Sequence, residues 1–123
     1  MARIVLADDD PAVRRSLGRF LRSLGHEVLE AEDGRAAIKA VQDGTTDLVV
    51  TDLNMPDMDG IELLSAVRKR FAGLPVIAVS GGGVIPGNIL LGSAYSLGAF
   101  ATIQKPFDLE ELKRVVNAAL HDG

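Results

Sequence analysis

Four short apolar segments constrain the fold of this chain more than any other feature of its sequence. Residues 4–7 are apolar with no polar alternation, and residues 48–51, 76–79 and 100–103 repeat this mostly apolar, partly β-branched pattern. Such segments are typical of strands buried on both faces, as in parallel sheets. Residues 27–30, with a glutamate at each end, form a weaker fifth segment that suits a strand near an edge. The pattern therefore predicts five strands in a parallel sheet.

Helical patterns lie between these segments. Asp10 is placed to cap the first helix and Asp108 the last, while Gly25 supplies a stop signal after the first. The predicted helices cover residues 11–24, 35–42, 61–71 and 109–120. A further helix over residues 88–97, the fourth in chain order, is expected to be irregular because of Gly92. Strands alternating with helices indicate an α/β fold with right-handed crossovers.

Length and composition favour one globular domain over residues 1–123. Of these residues 47% are hydrophobic and 24% charged, and the length is that of a single domain. The net charge of −4 argues against a nucleic-acid surface spread over the domain, because phosphate contacts require a basic patch. The lack of cysteine excludes disulfides and thiolate metal sites, and no signal peptide or membrane span opens the sequence. We therefore expect a cytoplasmic domain that contacts neither nucleic acid nor membrane.

Polar side chains follow the predicted strands at the points where they end. Asp8, Asp9 and Asp10 follow the first segment, and Asp52 follows the segment 48–51. Further along the chain, polar residues follow the last two segments in the same way: Ser80, Gln104 and Lys105. In open α/β sheets ligands bind outside the carboxyl ends of the strands. We therefore expect these polar groups to converge on one edge of the sheet.

Asp8, Asp9 and Asp52 point to a cation. Three crowded carboxylates raise one another's pKa unless a positive charge neutralises them. Mg²⁺ takes a few oxygen ligands from a protein and leaves room for water and phosphate oxygens. The Ser80 hydroxyl and the Lys105 ammonium could then bind the oxygens that the metal leaves free. This combination of groups is suited to phosphoryl transfer.

The sequence resembles the receiver domains of two-component response regulators, the chemotaxis-regulator-like family. The resemblance runs along nearly the whole chain and rests on four motifs in order: VLADDDP at 5–11, DLVVTDLNMPDMDG at 47–60, PVIAVSG at 75–81 and QKPFDLEEL at 104–112. It implies a doubly wound, flavodoxin-like α/β fold with five parallel strands in the order 2-1-3-4-5 and five helices. It also implies that residues 1–123 form one receiver, or phosphoacceptor, domain.

The resemblance assigns the acidic residues. It makes Asp52 the phosphoacceptor, whose carboxylate attacks the phosphorus of a phosphohistidine on a histidine kinase or histidine phosphotransfer protein. It makes Asp8 and Asp9 the acidic pair that binds Mg²⁺, or Mn²⁺ in its place, together with Asp52 and the backbone carbonyl of Asn54. The family's members are switches that catalyse their own phosphorylation and dephosphorylation, so we expect no enzyme of the ordinary kind.

The remaining site positions also follow from the resemblance. Ser80 matches the switch hydroxyl that binds the phosphoryl group, and Lys105 matches the lysine that pairs with the acceptor and its phosphate. Pro106 is expected to follow a cis peptide, as in the family, which would direct Lys105 inward. Gly60 matches the glycine that closes the loop after the acceptor.

Two departures from the family pattern concern the output. The family usually has an aromatic switch residue three positions before the lysine, and this chain has Thr102 there. Ser80 and Lys105 are 25 positions apart, which is longer than the common family spacing, and the addition is expected in residues 81–87. Thr102 is therefore a possible non-standard switch position. The sequence leaves open the cognate kinase, the downstream partner, the oligomeric state and whether the chain is complete.

Several residues have simpler interpretations than a place in the site. Asp10 is better explained as a helix cap than as a ligand, and Asp57 and Asp59 as turn residues. His26 and His121 have no evident pairing. The arginines of the first helix are expected to form a solvated face, with a docking surface for a phosphotransfer domain as the alternative: Arg14, Arg15, Arg19 and Arg22.

Three other functions compete with the phosphoacceptor switch. A haloacid-dehalogenase-like, Mg²⁺-dependent phosphatase would need an acid two residues after its nucleophile, where this chain has Asn54. A nucleotide-binding module would need a phosphate loop, and the glycines at 81–83 lack that motif. A receiver that is never phosphorylated and acts only through protein contacts is disfavoured, because every reactive position is filled.

Overall fold

A computed structural model of the protein describes residues 2–55, 60–80, 92, 94 and 97–122. Five strands form one sheet in which every pair of neighbours is parallel, in the order β2-β1-β3-β4-β5. The strands are β1 (Arg3–Ala7), β2 (Glu27–Ala31), β3 (Leu48–Asp52), β4 (Val76–Ser80) and β5 (Ala101–Gln104). The predicted sheet, its parallel pairing and its strand order are therefore confirmed.

Four helices lie in the described part of the chain. They are α1 (Pro11–Ser23), α2 (Gly34–Gln42), α3 (Gly60–Arg70) and α4 (Leu109–Asp122). The helix predicted over residues 88–97 lies outside the described residues apart from Gly92 and Ala94, which are both helical, and Leu97. No helix that the structure describes is both long enough and apolar enough to span a bilayer.

The helix ends follow from the capping residues that the sequence offers. The side chain of Asp10 accepts hydrogen bonds from the backbone N–H groups of Ala12 and Val13, as predicted for an N-cap. Asp108 does the same for Glu111, with a distance of 2.7 Å. Gly25 follows α1 with a φ of +94°, a left-handed conformation that glycine adopts at little cost. The predicted first and last helices are confirmed with these caps.

The sheet separates two apolar cores. Alternate residues of its strands pack on one face against Leu17 and Leu21 of α1 and Leu112 and Val116 of α4; we call this the α1/α4 face. The other residues pack against α2 and α3, and this is the α2/α3 face. Each fully buried leucine or valine contributes about 1.5–3 kcal/mol. Both faces are covered, which explains why the central strands have apolar residues without alternation.

The two edge strands differ in how well they were predicted. β2 lies at one edge, as its weaker pattern indicated. The segment 100–103 was predicted as another buried strand, but β5 begins at Ala101 and lies at the opposite edge. Ala101 and Thr102 are half-buried and Gln104 is exposed, because β5 has a neighbour on one side only.

The prediction of a solvated arginine face on α1 is wrong for one of its four members, Arg14, whose side chain is 14% exposed. Arg14 Nε lies 3.5 Å from Glu30 Oε1, and Arg22 Nη1 donates to Glu30 Oε2 at 2.9 Å. Glu30 belongs to β2, so both arginines contact the edge strand of the sheet, but Arg22 remains exposed as expected, like Arg15 and Arg19. An ion pair across two elements was not visible from helical spacing alone.

His26 also differs from the expectation that nothing pairs it. Its Nδ1 accepts a hydrogen bond from the backbone N–H of Ala2 at 3.2 Å. Burial is the main reason that its pKa is lowered, with the positive chain terminus acting in the same direction. His26 therefore has a structural partner at the start of β1.

Candidate functional site

The alternation of side chains along the strands brings three charged residues to the α1/α4 face. Asp8, Asp52 and Lys105 each lie two positions beyond a member of that core, namely Leu6, Val50 and Ile103. Residues two apart on a strand share a face. The three side chains therefore extend the same core face past the carboxyl end of the sheet, and the predicted convergence is confirmed for them.

The charged groups surround a small gap. Lys105 Nζ lies 3.8 Å from Asp8 Oδ2 and 3.7 Å from Asp52 Oδ2. One carboxylate oxygen each from Asp8, Asp9 and Asp52 lies within 4.8 Å of the others. Among the described residues this is the one group of three or more acidic or histidine side chains with such spacing. An all-oxygen donor set with a net negative charge fits a hard divalent cation such as Mg²⁺.

Asp8 is held by the backbone around it. It is 2% exposed, and its Oδ1 accepts from the backbone N–H of Asp10 at 2.9 Å. Its own N–H donates to the carbonyl of Ala31 in β2 at 3.1 Å. Burial raises the pKa of Asp8, although the Asp10 N–H and then the Lys105 ammonium act in the opposite direction. A positive charge in the gap would favour its ionised form.

Asp52 has a similar environment at the end of β3. It is 8% exposed, and burial raises its pKa above the usual carboxyl range. Lys105 is the strongest opposing influence, followed by the backbone N–H of Asn54, which donates to Asp52 Oδ1 at 3.3 Å. Asp8 and Asp9 raise the pKa further by charge repulsion. Asp52 is thus a desolvated carboxyl group beside one ammonium.

Ser80 reaches the same edge from the opposite side of the sheet. It lies two positions after Ala78, a member of the α2/α3 core, and is fully buried. Its Oγ accepts from Asn54 Nδ2 at 3.2 Å, and its carbonyl accepts from the Lys105 N–H at 2.8 Å. From the sequence, only the backbone carbonyl of Asn54 is assigned to the site. No local signal in the sequence indicated that its side chain would connect Ser80 to the loop after Asp52.

Gly60 has a steric reason to be glycine. A Cβ there would lie 2.4 Å from the carbonyl oxygen of Asp52 and 2.6 Å from the Cα of Leu53. Real side chains do not approach backbone atoms so closely, so the first residue of α3 packs directly on the end of β3. Residues 56–59, with the predicted turn residues Asp57 and Asp59, lie outside the described residues, as do residues 81–87.

Thr102 lies on the α2/α3 face. It pairs in register with Ala78, and paired residues of neighbouring parallel strands point to the same side. Thr102 is therefore on the side of Ser80, and it is half-buried. Phe100 packs against the α1/α4 core, on the other side of the sheet. It therefore does not take the place of the aromatic side chain that the family usually has at the position of Thr102. The peptide before Pro106 is cis, as expected.

Comparison with known proteins agrees with the fold. Residues 4–117 match the response regulator receiver domain family, and the chain belongs to this family. It is a receiver domain of the two-component response regulators.

Among curated relatives, the chain is 39% identical over 122 residues to the DNA-binding transcriptional regulator NtrC of Azospirillum brasilense. It is 35% identical over 122 residues to the transcriptional regulatory protein GlrR of Escherichia coli. These alignments cover 99% of the chain but 25% and 27% of the relatives, so the chain spans about a quarter of the length of the curated relatives it matches.

Solved structures show the same fold. The receiver domain of NtrX from Brucella abortus superposes with a TM-score of 0.90 at 32% identity, covering 98% of this chain and 99% of that one. The chemotaxis protein CheY4 of Vibrio cholerae superposes with a TM-score of 0.85 at 30% identity, with the same coverage. The likeness therefore extends over the whole domain in both.

Proposed function

We propose that Asp52 accepts a phosphoryl group from a phosphohistidine on a histidine kinase or histidine phosphotransfer protein. One observation carries the proposal: Asp52 is desolvated at the sheet edge, with the Lys105 ammonium 3.7 Å away and two further carboxylates within 4.8 Å. An ordinary structural aspartate would be exposed or have a cation of its own, whereas Asp52 is buried and shares a single ammonium with Asp8. The arrangement leaves Asp52 as a carboxylate that a cation and a phosphoryl group can approach.

The proposed reaction needs little from the protein besides position and charge. A carboxylate oxygen of Asp52 attacks phosphorus, an O–P bond forms, and the P–N bond breaks with its electron pair passing to the imidazole nitrogen. Attack by water on the acyl phosphate later releases inorganic phosphate and restores the carboxylate. The Lys105 ammonium is placed to bind an oxygen of the transferred group, which carries growing negative charge.

Asp8, Asp9 and Asp52, with the backbone carbonyl of Asn54, are the proposed ligands for Mg²⁺ or Mn²⁺. When bound, the ion would neutralise charge on the carboxylates and the phosphoryl oxygens. Asp8 is fixed by the Asp10 N–H and by Lys105, so it would need little rearrangement to bind a cation. The Asn54 N–H holds the orientation of Asp52.

Ser80 is the proposed switch on the α2/α3 face. Its hydroxyl accepts a hydrogen bond from the Asn54 side chain, so its own proton is free to be donated to a phosphoryl oxygen on Asp52. Such a bond would draw Ser80 toward the α1/α4 face and away from the side of the sheet on which Ala78 and Thr102 lie. We propose Thr102 as the place where this movement passes to β5.

The wider role follows from the family. We propose that residues 1–123 act as a single cytoplasmic receiver domain whose phosphorylation alters contacts with a partner protein or with another part of a longer chain, without touching nucleic acid itself. The curated relatives are named as transcriptional regulators, which supports a role in controlling transcription. A phosphatase is disfavoured, since an amide occupies position 54 and binds Ser80. We propose a switch that turns over only its own phosphate.

The proposal is tested by incubating the protein with Mg²⁺ and acetyl phosphate and mapping the acyl phosphate by mass spectrometry. We expect label on Asp52 in the wild type, none in Asp52→Asn, and full label in Asp43→Asn, which alters an exposed acid paired with Lys39. Equal absence of label in the wild type and Asp52→Asn would contradict the switch. Turnover of many phosphomonoesters would instead favour a phosphatase.

A further inference from the structure

Arg14 joins the loop after β1 to strand β2. Its side chain is 14% exposed, although it lies one turn into α1 among residues expected to face solvent. Nη1 donates to the backbone carbonyl of Asp8 at 2.8 Å, and Nε lies 3.5 Å from Glu30 Oε1. The planar guanidinium suits this arrangement, because its donors diverge toward two partners at once. Arg14 therefore contacts the backbone of a proposed metal ligand.

Glu30 provides a fixed anchor for Arg14. Its other oxygen accepts from Arg22 Nη1 at 2.9 Å, and Arg22 Nη2 also donates to the carbonyl of Val28 at 3.0 Å. Gly18, between the two arginines on α1, leaves the space that Glu30 needs, since a Cβ there would lie 3.0 Å from Glu30 Oε2. The carboxylate of Glu30 is thus held from two sides. Its contact with Arg14 connects the loop after β1 to β2, the outermost strand on that side of the sheet.

Asp9 depends on this backbone more than Asp8 does. The Asp8 side chain has its own hydrogen bond to Asp10 and lies near Lys105. The Asp9 side chain is exposed and makes no hydrogen bond within the part of the chain that the structure describes. Its direction is set by the peptide between Asp8 and Asp9, whose carbonyl group is the one that Arg14 binds.

We propose that Arg14 is a positioning residue that fixes the Asp8–Asp9 peptide so that the Asp9 carboxylate faces Asp8 and Asp52. This inference rests on the proposed metal-binding role of the three aspartates. It makes a prediction opposite to that of simple electrostatics. A positive charge beside an acidic cluster repels a divalent cation, so removing it would tighten metal binding if charge were its only contribution. Loss of positioning weakens metal binding instead.

The test is the dissociation constant for Mn²⁺ of the full chain, measured from the electron paramagnetic resonance signal of the free ion. Groups that orient metal ligands contribute about 10–100-fold to metal affinity, and we expect Arg14→Gln to weaken binding by about tenfold. Arg14→Lys keeps the charge but reaches one partner at most, so we expect it to restore only part of the affinity. Arg15→Gln, which removes an exposed charge from the next position of α1, is the matched control and should bind like the wild type.

The possible outcomes separate this inference from the proposed function. If Asp9→Asn weakens Mn²⁺ binding while Arg14→Gln binds as tightly as Arg15→Gln, or more tightly, the positioning role is wrong and the metal site stands. If the wild type and Asp9→Asn bind Mn²⁺ equally poorly, the proposed metal site itself fails.

Circular dichroism and urea unfolding establish that each variant is folded. Should Arg14→Gln fail to fold, Glu30→Gln takes its place, because it weakens the anchor but keeps Arg14. We expect this variant also to bind Mn²⁺ more weakly, and an unchanged affinity would overturn the inference.

Discussion

The two faces of the sheet contribute different groups to its carboxyl edge. The α1/α4 face supplies the charges, Asp8, Asp52 and Lys105, whereas the α2/α3 face supplies the hydroxyls of Ser80 and Thr102. The connection between the faces is Asn54, whose backbone binds Asp52 and whose amide binds Ser80. The proposed binding of a cation and the proposed switching thus rest on separate cores, so substitutions should be able to separate the two functions.

The largest effect that tests this separation is expected for Ser80→Ala. Removing one donor to a developing negative charge slows reactions by about 100-fold or more, so phosphorylation at saturating Mg²⁺ should slow by about 100-fold. The affinity for Mn²⁺ should stay at the wild-type value, because Ser80 lies outside the carboxylate cluster. Both quantities are measured on the same preparation, with Ser65→Ala on the exposed side of α3 as control. A parallel loss of metal affinity would show that the two faces do not act separately.

A smaller effect, on stability, is expected where α3 meets the end of β3. Gly60→Ala places a methyl group against the backbone of Asp52 and Leu53, and overpacking of this kind lowers the free energy of unfolding by about 1–3 kcal/mol. Gly92→Ala is the control, since a Cβ at Gly92 meets nothing within 4 Å. Urea unfolding of both variants measures the difference. Equal free energies of unfolding for the two variants would mean that the backbone of Asp52 and Leu53 shifts to accommodate the methyl group at little cost.

Asp52→Asn should stabilise the metal-free protein at neutral pH, by about 1 kcal/mol, the scale of a typical single substitution. The reason is that the raised pKa of Asp52 makes its ionised form unfavourable in the folded state, while Lys105 keeps Asp8 as a partner. The wild type should lose stability as pH rises from the unfolded carboxyl pKa through the higher folded pKa, because the folded state binds more protons in this window. The gain from Asn grows across the same window and is constant above it.

This prediction is checked by urea unfolding of both proteins from acid to neutral pH in a chelating buffer. Mg²⁺ supplies the control, because a ligand that binds the folded state at ten times its dissociation constant stabilises it by about 1.4 kcal/mol. The wild type should gain this stability and Asp52→Asn should gain less. If Asp52→Asn is less stable than the wild type at neutral pH, the prediction is wrong, because the folded protein then favours the ionised form of Asp52.

The smallest effect is expected for Thr102→Val on the edge strand. The substitution keeps the shape of a half-buried side chain, so the free energy of unfolding should change by less than about 0.5 kcal/mol. The phosphorylation rate should also be unchanged. If Thr102 transmits the switch, the change in amide hydrogen exchange of β5 on phosphorylation should be smaller in the variant. A rate loss like that of Ser80→Ala would instead place Thr102 in the reaction.

Much of the fold could be predicted from local patterns. The apolar segments located the central strands, and Asp10 and Asp108 marked helix starts, because capping and burial leave short-range signals. The meeting of Asp8, Asp52 and Lys105 followed from the rule that parallel strands end at one edge. The roles proposed for these residues came from the family resemblance.

The missed features all depend on how distant segments of the chain are arranged in space. Arg14 was expected in solvent, and the ion pair of the exposed Arg22 was not foreseen, because nothing within a helix indicates that a strand glutamate lies opposite. The Asn54 amide was missed for the same reason, since its bond to Ser80 spans 26 positions. The exposure of β5 depended on its being the outermost strand, which a segment of apolar residues does not reveal.

The division of the site between two faces restricts where the length of this chain can vary during evolution. An insertion or deletion of one residue within a strand reverses the side taken by every residue that follows it in that strand. A deletion in β3 would move Asp52 to the side of Ser80, and one in β5 would move Lys105 away from both acids. Changes in length must therefore accumulate between strands, as in the long connection between β4 and β5. Homologous sequences should align without gaps through the strands, and differences in length should be confined to the connections.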